Sequence, residues 1–211
     1  MVTIALITRS SGFLVTVTPS LAVKSVADLV ALARSQPGKL SYATDISNIY
    51  PQLTARMLNR EAGIDILEIP YKSTAQAIQD TVAGRTQMII GSAAALQPAI
   101  KAGKLRLIAV TSSTRNSGFP DTPSLLESYP AMQMDAVGFT VVGPAATPRD
   151  IVLRLNRTIL VILKDPAFGE QLLAQGLFAA ALLSPEEAAA ELGEQRTRWG
   201  KIFRDLGIEP Q

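Results

Sequence analysis

Ser73 and Thr74 stand where the β-branched and apolar run 66–71 gives way to a helical pattern over 75–83, and Ser92 stands where the run 86–91 gives way to another over 93–102. A hydroxyl residue at such a boundary accepts from first-turn amides. The N–H groups left over, with the positive end of the helix dipole, favour a negative charge beside them. Strands alternating with helices from 40 to 112 predict a parallel sheet, which would bring both corners to one carboxyl edge, where open α/β folds bind ligands. The chemistry expected is non-covalent: amides and hydroxyls holding a small carboxylate. Thr44 and Ser47, in the corner after the strand 39–44, and Tyr71, on the first corner, join Ser73, Thr74 and Ser92 as candidate ligand-binding residues.

Each has a plainer reading. An N-cap hydroxyl more often satisfies only its own helix. Tyr71 divides evenly between lining the site and packing beneath the corner. Lys72 is expected in solvent, and Asp45, whose charge would repel a carboxylate, is expected at a helix start and pointing away. Trp199 reads as core and Phe139 as hinge packing.

Composition narrows the function. Cysteine and histidine are both absent, which removes disulfides, thiol nucleophiles, the common zinc sites and every Ser-His or Cys-His triad. No serine, lysine or aspartate stands with a base at recognisable spacing, so no catalytic residue, metal or cofactor is assigned, and an enzyme is not expected. The 20 basic and 18 acidic residues give a net charge of +2. Arg85, Lys101, Lys104, Arg106 and Arg115 are too scattered, with too few aromatics, for a nucleic-acid groove. No apolar run approaches the roughly 18 residues of a membrane span.

The elements that must position these residues follow in order. Residues 3–8 and 13–18 are strand-like. Ser25 with Asp28 reads as a capping box ahead of the stripe Val26, Leu29, Val30 and Ala33. A glycine-lysine-leucine joint between helix and strand occurs at Gly38 and again at Gly103. A polar loop is expected over 114–123, a short helix over 124–129 and a strand over 136–142. Thr147-Pro148-Arg149-Asp150 predicts a capped helix whose buried face is Ile151, Leu155, Ile159 and Ile162. Helices over 165–173 and from Ser184 to about Leu206 close the chain. The change of character near 135–140, with a second crossing near 8–13, predicts a discontinuous organisation.

Several segments together carry a resemblance: Pro37-Gly38-Lys39-Leu40-Ser41-Tyr42, Ile69-Pro70-Tyr71-Lys72, Ile100-Lys101-Ala102-Gly103-Lys104-Leu105-Arg106 with Ala109-Val110-Thr111-Ser112, Phe119-Pro120-Asp121-Thr122-Pro123, Gly143-Pro144-Ala145-Ala146-Thr147-Pro148, and Arg198-Trp199-Gly200-Lys201. In this order and spacing the chain resembles the Bug-type extracytoplasmic solute-binding proteins, receptors of tripartite tricarboxylate transporters. The resemblance implies an α/β, two-lobed periplasmic-binding-protein-like fold (type II, Venus flytrap) with lobe 1 incomplete. Lobe 2 would be 13–136, with 1–12 and 137–211 as the remainder of lobe 1. It implies a periplasmic receptor that closes on a small carboxylate and meets membrane transporter subunits. Tyr42, within a matching segment, joins the candidate ligand contacts. Three departures are specific to this chain. Set against the family's pattern, this sequence is expected to start after the first βαβ portion, the loop 43–48 carries Asp45 where the family has glycine and serine, and Ser73 replaces the usual glycine. An incomplete lobe predicts self-association or poor solubility. The rival reading is a cytoplasmic ligand-sensing effector domain of the same fold.

Overall fold

A computed structural model of the chain describes residues 1–10, 12–112, 119–132, 138–174 and 177–208. In chain order its elements are β1 (Val2–Leu6), β2 (Thr8–Ser10), β3 (Leu14–Val17), α1 (Val26–Ser35), β4 (Ser41–Asp45), α2 (Ile49–Ala62), β5 (Leu67–Tyr71), α3 (Thr74–Val82), β6 (Met88–Gly91), α4 (Ala93–Lys101), β7 (Arg106–Val110), α5 (Leu125–Ser128), β8 (Thr140–Gly143), α6 (Arg149–Leu163), α7 (Pro166–Ala174), β9 (Leu177–Ala179) and α8 (Pro185–Asp205). They gather into two compact units, Gly12–Met134 and the pair Met1–Ser11 with Asp135–Gln211. The stretch 133–137, which holds most of the expected hinge, and 113–118 of the expected loop lie outside the described residues.

The contiguous unit is a five-stranded sheet in the order β5-β4-β6-β3-β7. β4 pairs in parallel with both β5 and β6. The expectation of a parallel sheet needs one correction: β3, from the start of the chain, inserts between β6 and β7 and runs antiparallel to both. The four strands from 41 to 110 therefore still share one direction, and their carboxyl ends share one edge. β3 and β6 are buried at every position, as expected for strands covered on both faces. β5 is an edge strand. Pro70 sits there, where its missing N–H costs no ladder bond.

Strand alternation divides the two faces. Leu14, Ala43, Ile89 and Val110 face α3 and α4, packing with Ala77 and Leu96. Tyr42 and Thr44 turn toward α2, whose Gln52 and Arg56 meet them through Glu68. The glycine joints form as expected, with Gly38 and Gly103 in the left-handed region at φ 69° and 68°.

The second unit has two small antiparallel sheets, β1-β8 and β2-β9. β9 falls in an apolar run that the sequence had left unassigned. α6 and α8 pack on β1, and Asn156 of α6, 4% exposed, donates to the carbonyls of Ile4 and Leu183. This corrects the expected face of α6: Val152, Asn156 and Leu163 are buried, whereas Leu155 and Ile162 are 40% and 47% exposed. A polar residue anchors the helix, and the apolar stripe is rotated outward. The expected cap also differs. Thr147 donates to the Pro144 carbonyl, and Pro148 occupies the cap position with no side-chain bond.

Candidate functional site

The carboxyl edge of the five-stranded sheet collects three strand-to-helix corners. α2 starts after β4, α3 after β5 and α4 after β6. Because β5, β4 and β6 are neighbours in that order, the corners lie side by side within about two strand spacings, roughly 10 Å. The start of β3 and the end of β7 meet at the same edge. There the Phe13 N–H donates to Thr111 Oγ1 at 2.8 Å and the Thr111 N–H returns to the Phe13 carbonyl at 2.9 Å. The Phe13 ring stacks on Tyr50 of α2 with centroids 4.5 Å apart. The chain at Gly12 passes so near Ser112 that a Cβ would lie 2.6 Å from the Ser112 nitrogen.

Ser73, Thr74 and Ser92 come together at this edge. Ser73 is exposed; Thr74 and Ser92 are half-buried. Both serines are N-caps: Ser73 accepts from the Gln76 N–H and Ser92 from the Ala95 N–H, each at 3.4 Å. The plain capping role is thus fulfilled, and it leaves each hydroxyl proton without an acceptor among the described residues. The Ala93 and Ala94 amides of α4 and the Ala75 amide of α3 likewise bond to nothing within the described chain. Such donors are what an anion at a helix start uses.

Thr44 and Tyr42 turn their side chains to the α2 face of the sheet. Both are 2% exposed. On the α2 face, Tyr42 Oη donates to Glu68 at 3.1 Å and Thr44 Oγ1 at 3.2 Å. Gln52 also donates to Glu68, and Arg56 Nε pairs with it at 3.0 Å. Burial works to raise the Glu68 pKa, but the bonds from Gln52 and Arg56 outweigh it and hold the carboxyl below its usual value. Burial, then the charge of Glu68, pushes the Tyr42 hydroxyl well above its ordinary range. Tyr71 resolves to its packing alternative. It lies against the α3–α4 cluster, and its hydroxyl donates to Asp80 at 2.9 Å, Asp80 being paired with Arg85.

Asp45 overturns its expectation. It does not point away from the neighbouring corner. Ser47 donates to Oδ1 through both its hydroxyl, at 2.6 Å, and its N–H, at 2.8 Å, while Thr74 Oγ1 donates to Oδ2 at 2.5 Å. The Ser47 hydroxyl bond first, and the Thr74 bond next, lower the Asp45 pKa. Ser47 and Thr74 are therefore engaged by the chain's own carboxylate. Sequence reasoning missed Glu68, although an acid inside the strand Leu67-Glu68-Ile69 signals a demand for donors from both flanking elements. It also missed Phe13 with Thr111, which are far apart in sequence and meet only through the inserted strand.

No helix among the described residues is long and apolar enough to cross a membrane, and no cluster of acidic residues there could hold a metal ion. The carboxyl edge of the sheet is rimmed with unspent amide and hydroxyl donors, within a periplasmic-binding-protein-like α/β fold. The chain belongs to the tripartite tricarboxylate transporter receptor family, whose model matches residues 1–208. It is 31% identical over 189 residues to a UPF0065 protein of Bordetella bronchiseptica, covering 90% of this chain and 55% of that one. Among solved structures it resembles an R. palustris protein crystallised with adipate (30% identity, TM-score 0.82), covering all of this chain and 70% of that one. It is also similar to the periplasmic binding protein BugD (25% identity, TM-score 0.79), covering 99% and 70%. The chain thus spans about half the length of the curated relatives it matches.

Proposed function

We propose that this protein is a periplasmic solute receptor that binds a small carboxylate and delivers it to the membrane subunits of a tripartite tricarboxylate transporter. The observation that carries the reading is the pairing, at one sheet edge, of an N-cap hydroxyl with open first-turn amides, at Ser92 with Ala93 and Ala94 and at Ser73 with Ala75. The corner at Ser92 is the principal anion site, because at α3 the Thr74 hydroxyl is already taken by Asp45. Charge-assisted hydrogen bonds to amides are short and about twice as strong as neutral ones. Family membership and a relative solved with adipate support the same ligand class. Of the seven residues named from sequence, Ser92 and Ser73 are proposed as direct contacts, Ser47 and Thr74 as residues that act through Asp45, and Tyr42, Thr44 and Tyr71 as structural.

Isothermal calorimetry with linear dicarboxylates of four to six carbons, their hydroxy and amino derivatives, and benzoate tests this directly. Binding of at least one acid, weakened about tenfold by Ser92→Ala, is the expected result. Silence with every acid from a cooperatively folded sample would refute it.

The exposed apolar side chains of the second unit support a further reading of its partners. Leu155, Val161 and Ile162 on α6 and Val142 on β8 are open, and β8 pairs only with β1 among the described strands. Two strands alone are marginal in water. We propose that copies of this chain self-associate through this face.

A further inference from the structure

The opposite edge of the five-stranded sheet, where β4, β5, β6 and β7 begin and β3 ends, collects charges that the carboxyl edge does not use. Lys101, Lys104 and Arg106 read as scattered in the sequence. The fold sets them here together with Lys24, Arg34 and Lys39. Lys39 and Lys104 belong to the two glycine-lysine-leucine joints: each follows a left-handed glycine, Gly38 or Gly103, and precedes a buried leucine, Leu40 or Leu105. The joint thus leaves the lysine outside, next to a strand start. β4 and β7 stand three strand spacings apart in the sheet order, so the two lysines mark out roughly 15 Å of the edge. Arg106 opens β7 and donates to the carbonyls of Leu21 and Val23, which brings the neighbouring Lys24 to the same place. At the far end of α1, Arg34 donates to the Ala62 carbonyl that closes α2. Lys24, Lys39, Lys101 and Lys104 are all exposed, and none pairs with an acid among the described residues. Arg34 and Arg106 bond to neutral carbonyls and keep their charge. Of the acids nearby, Glu61 is paired with Arg60 and Asp80 with Arg85, which leaves Asp28, the acceptor of the Lys24 N–H, and Asp65 against these six. Helix carbonyl poles account for Arg34 and Lys101, in the last turns of α1 and α4. They do not account for Lys24, beside the start of α1, where the dipole disfavours a cation, nor for the excess of positive charge held together against its own repulsion.

We propose that this edge holds the protein to an anionic phospholipid surface. Its five connections, residues 18–25, 36–40, 63–66, 83–87 and 102–105, contain no aromatic residue. Protein interfaces are rich in aromatic side chains and arginine and poor in lysine. Lysines on flexible stems are compact point charges, and they suit headgroup phosphates that rearrange and offer no fixed register. The attraction is electrostatic and needs no apolar side chain to enter the bilayer. Each lysine close to such a surface strengthens binding about fivefold, so four free ones reach a useful affinity together although none does so alone. Binding by this edge leaves the open amides of the carboxyl edge, one strand length or about 15 Å away, free for solute.

Co-sedimentation with phosphatidylcholine vesicles that contain or lack phosphatidylglycerol tests the proposal, at low ionic strength and again at about 1 M salt, where charges are screened within about 3 Å. The protein is expected to bind the anionic vesicles alone, and only at low salt. Lys39→Gln combined with Lys104→Gln is expected to weaken that binding about 25-fold. Arg196→Gln combined with Lys201→Gln removes the same charge from exposed positions of α8 and is expected to change it by less than about twofold. Should the first pair of changes abolish cooperative melting, Lys24→Gln with Lys101→Gln takes its place. Equal binding to both kinds of vesicle, equal losses in the two double variants, or no binding at low salt overturns the proposal. In the last case, salt-sensitive retention on immobilised polyglutamate would assign the edge to an acidic protein surface instead. Calorimetry with carboxylates is a separate readout that the lysine changes leave unaltered, so either reading can fail while the other stands.

Discussion

The assignment of Tyr42 to structure and not to the ligand rests on Glu68, and replacing Glu68 by alanine exposes that reasoning. Four donors converge on this carboxylate. Two of them, the hydroxyls of Tyr42 and Thr44, belong to residues only 2% exposed, so water cannot readily replace the lost acceptor; each is left at a cost of about 1 kcal/mol or more. The Arg56 guanidinium, 41% exposed, also loses its partner, but solvent takes up most of its charge, and about 1 kcal/mol covers the rest. Relief from the burial of Glu68 itself offsets part of this. The net loss is about 2 kcal/mol, or roughly 8 °C in Tm for a unit of this size. Tyr42→Phe alone removes one hydroxyl and costs about 1 kcal/mol. In the Glu68→Ala background the same change costs almost nothing, a coupling of about 1 kcal/mol in a double-mutant cycle. Chemical denaturation of the four proteins measures the cycle, and calorimetry with the best acid supplies the control: Tyr42→Phe changes affinity less than twofold. A Tyr42→Phe protein of unchanged stability that binds fivefold more weakly would refute the argument, because Tyr42 would then be serving the ligand. Strict additivity of the two changes would refute the network.

Three other outcomes follow from the same geometry. Gly138→Ala would set a Cβ 2.0 Å from the Thr8 carbonyl oxygen, so it is expected to cost at least about 2 kcal/mol by denaturant melt; Gly193→Ala, in the interior of α8 with nothing within 4 Å, is expected to be neutral or mildly stabilising. Asp45 and Glu68 titrate below their unfolded values of 3.8 and 4.5. Depressed pKa values give stability that is complete above those unfolded values and lost as pH falls through the lower folded ones, so stability is expected to be flat from pH 7 to 5 and to decline below about pH 4, with a shallower decline in Glu68→Gln by thermal melts across pH. Sedimentation velocity is expected to show concentration-dependent association that Ile162→Glu weakens, since it places a charge on the open stripe of α6; a monomer at every concentration would refute self-association.

Local rules carried much of this chain from residues to elements. Ser25, Ser73, Ser92, Ser124 and Ser184 all cap the helices that follow them, because an N-cap needs only its own first turn and is written within four residues. The two glycine joints formed for the same reason. The corners at Ser73 and Ser92 were legible because a strand that stops at a hydroxyl and becomes a helix states its own boundary, and parallel alternation sends successive corners to one edge.

Tertiary structure decided what local pattern could not contain. The antiparallel insertion of β3 and the meeting of Phe13 with Thr111 join residues about a hundred positions apart, and no periodicity encodes such a partner. The orientation of α6 places Asn156 inward, where its amide satisfies two carbonyls from other elements, and leaves Leu155 and Ile162 exposed. The role of Asp45 depended on Thr74, 29 residues on. From sequence its charge argued only for turning away, whereas the fold brings it the Ser47 and Thr74 donors that hold it ionised. Residue types thus determined which groups were available to bind an anion, and the three-dimensional distribution of donors and acceptors decided which of them were already spent.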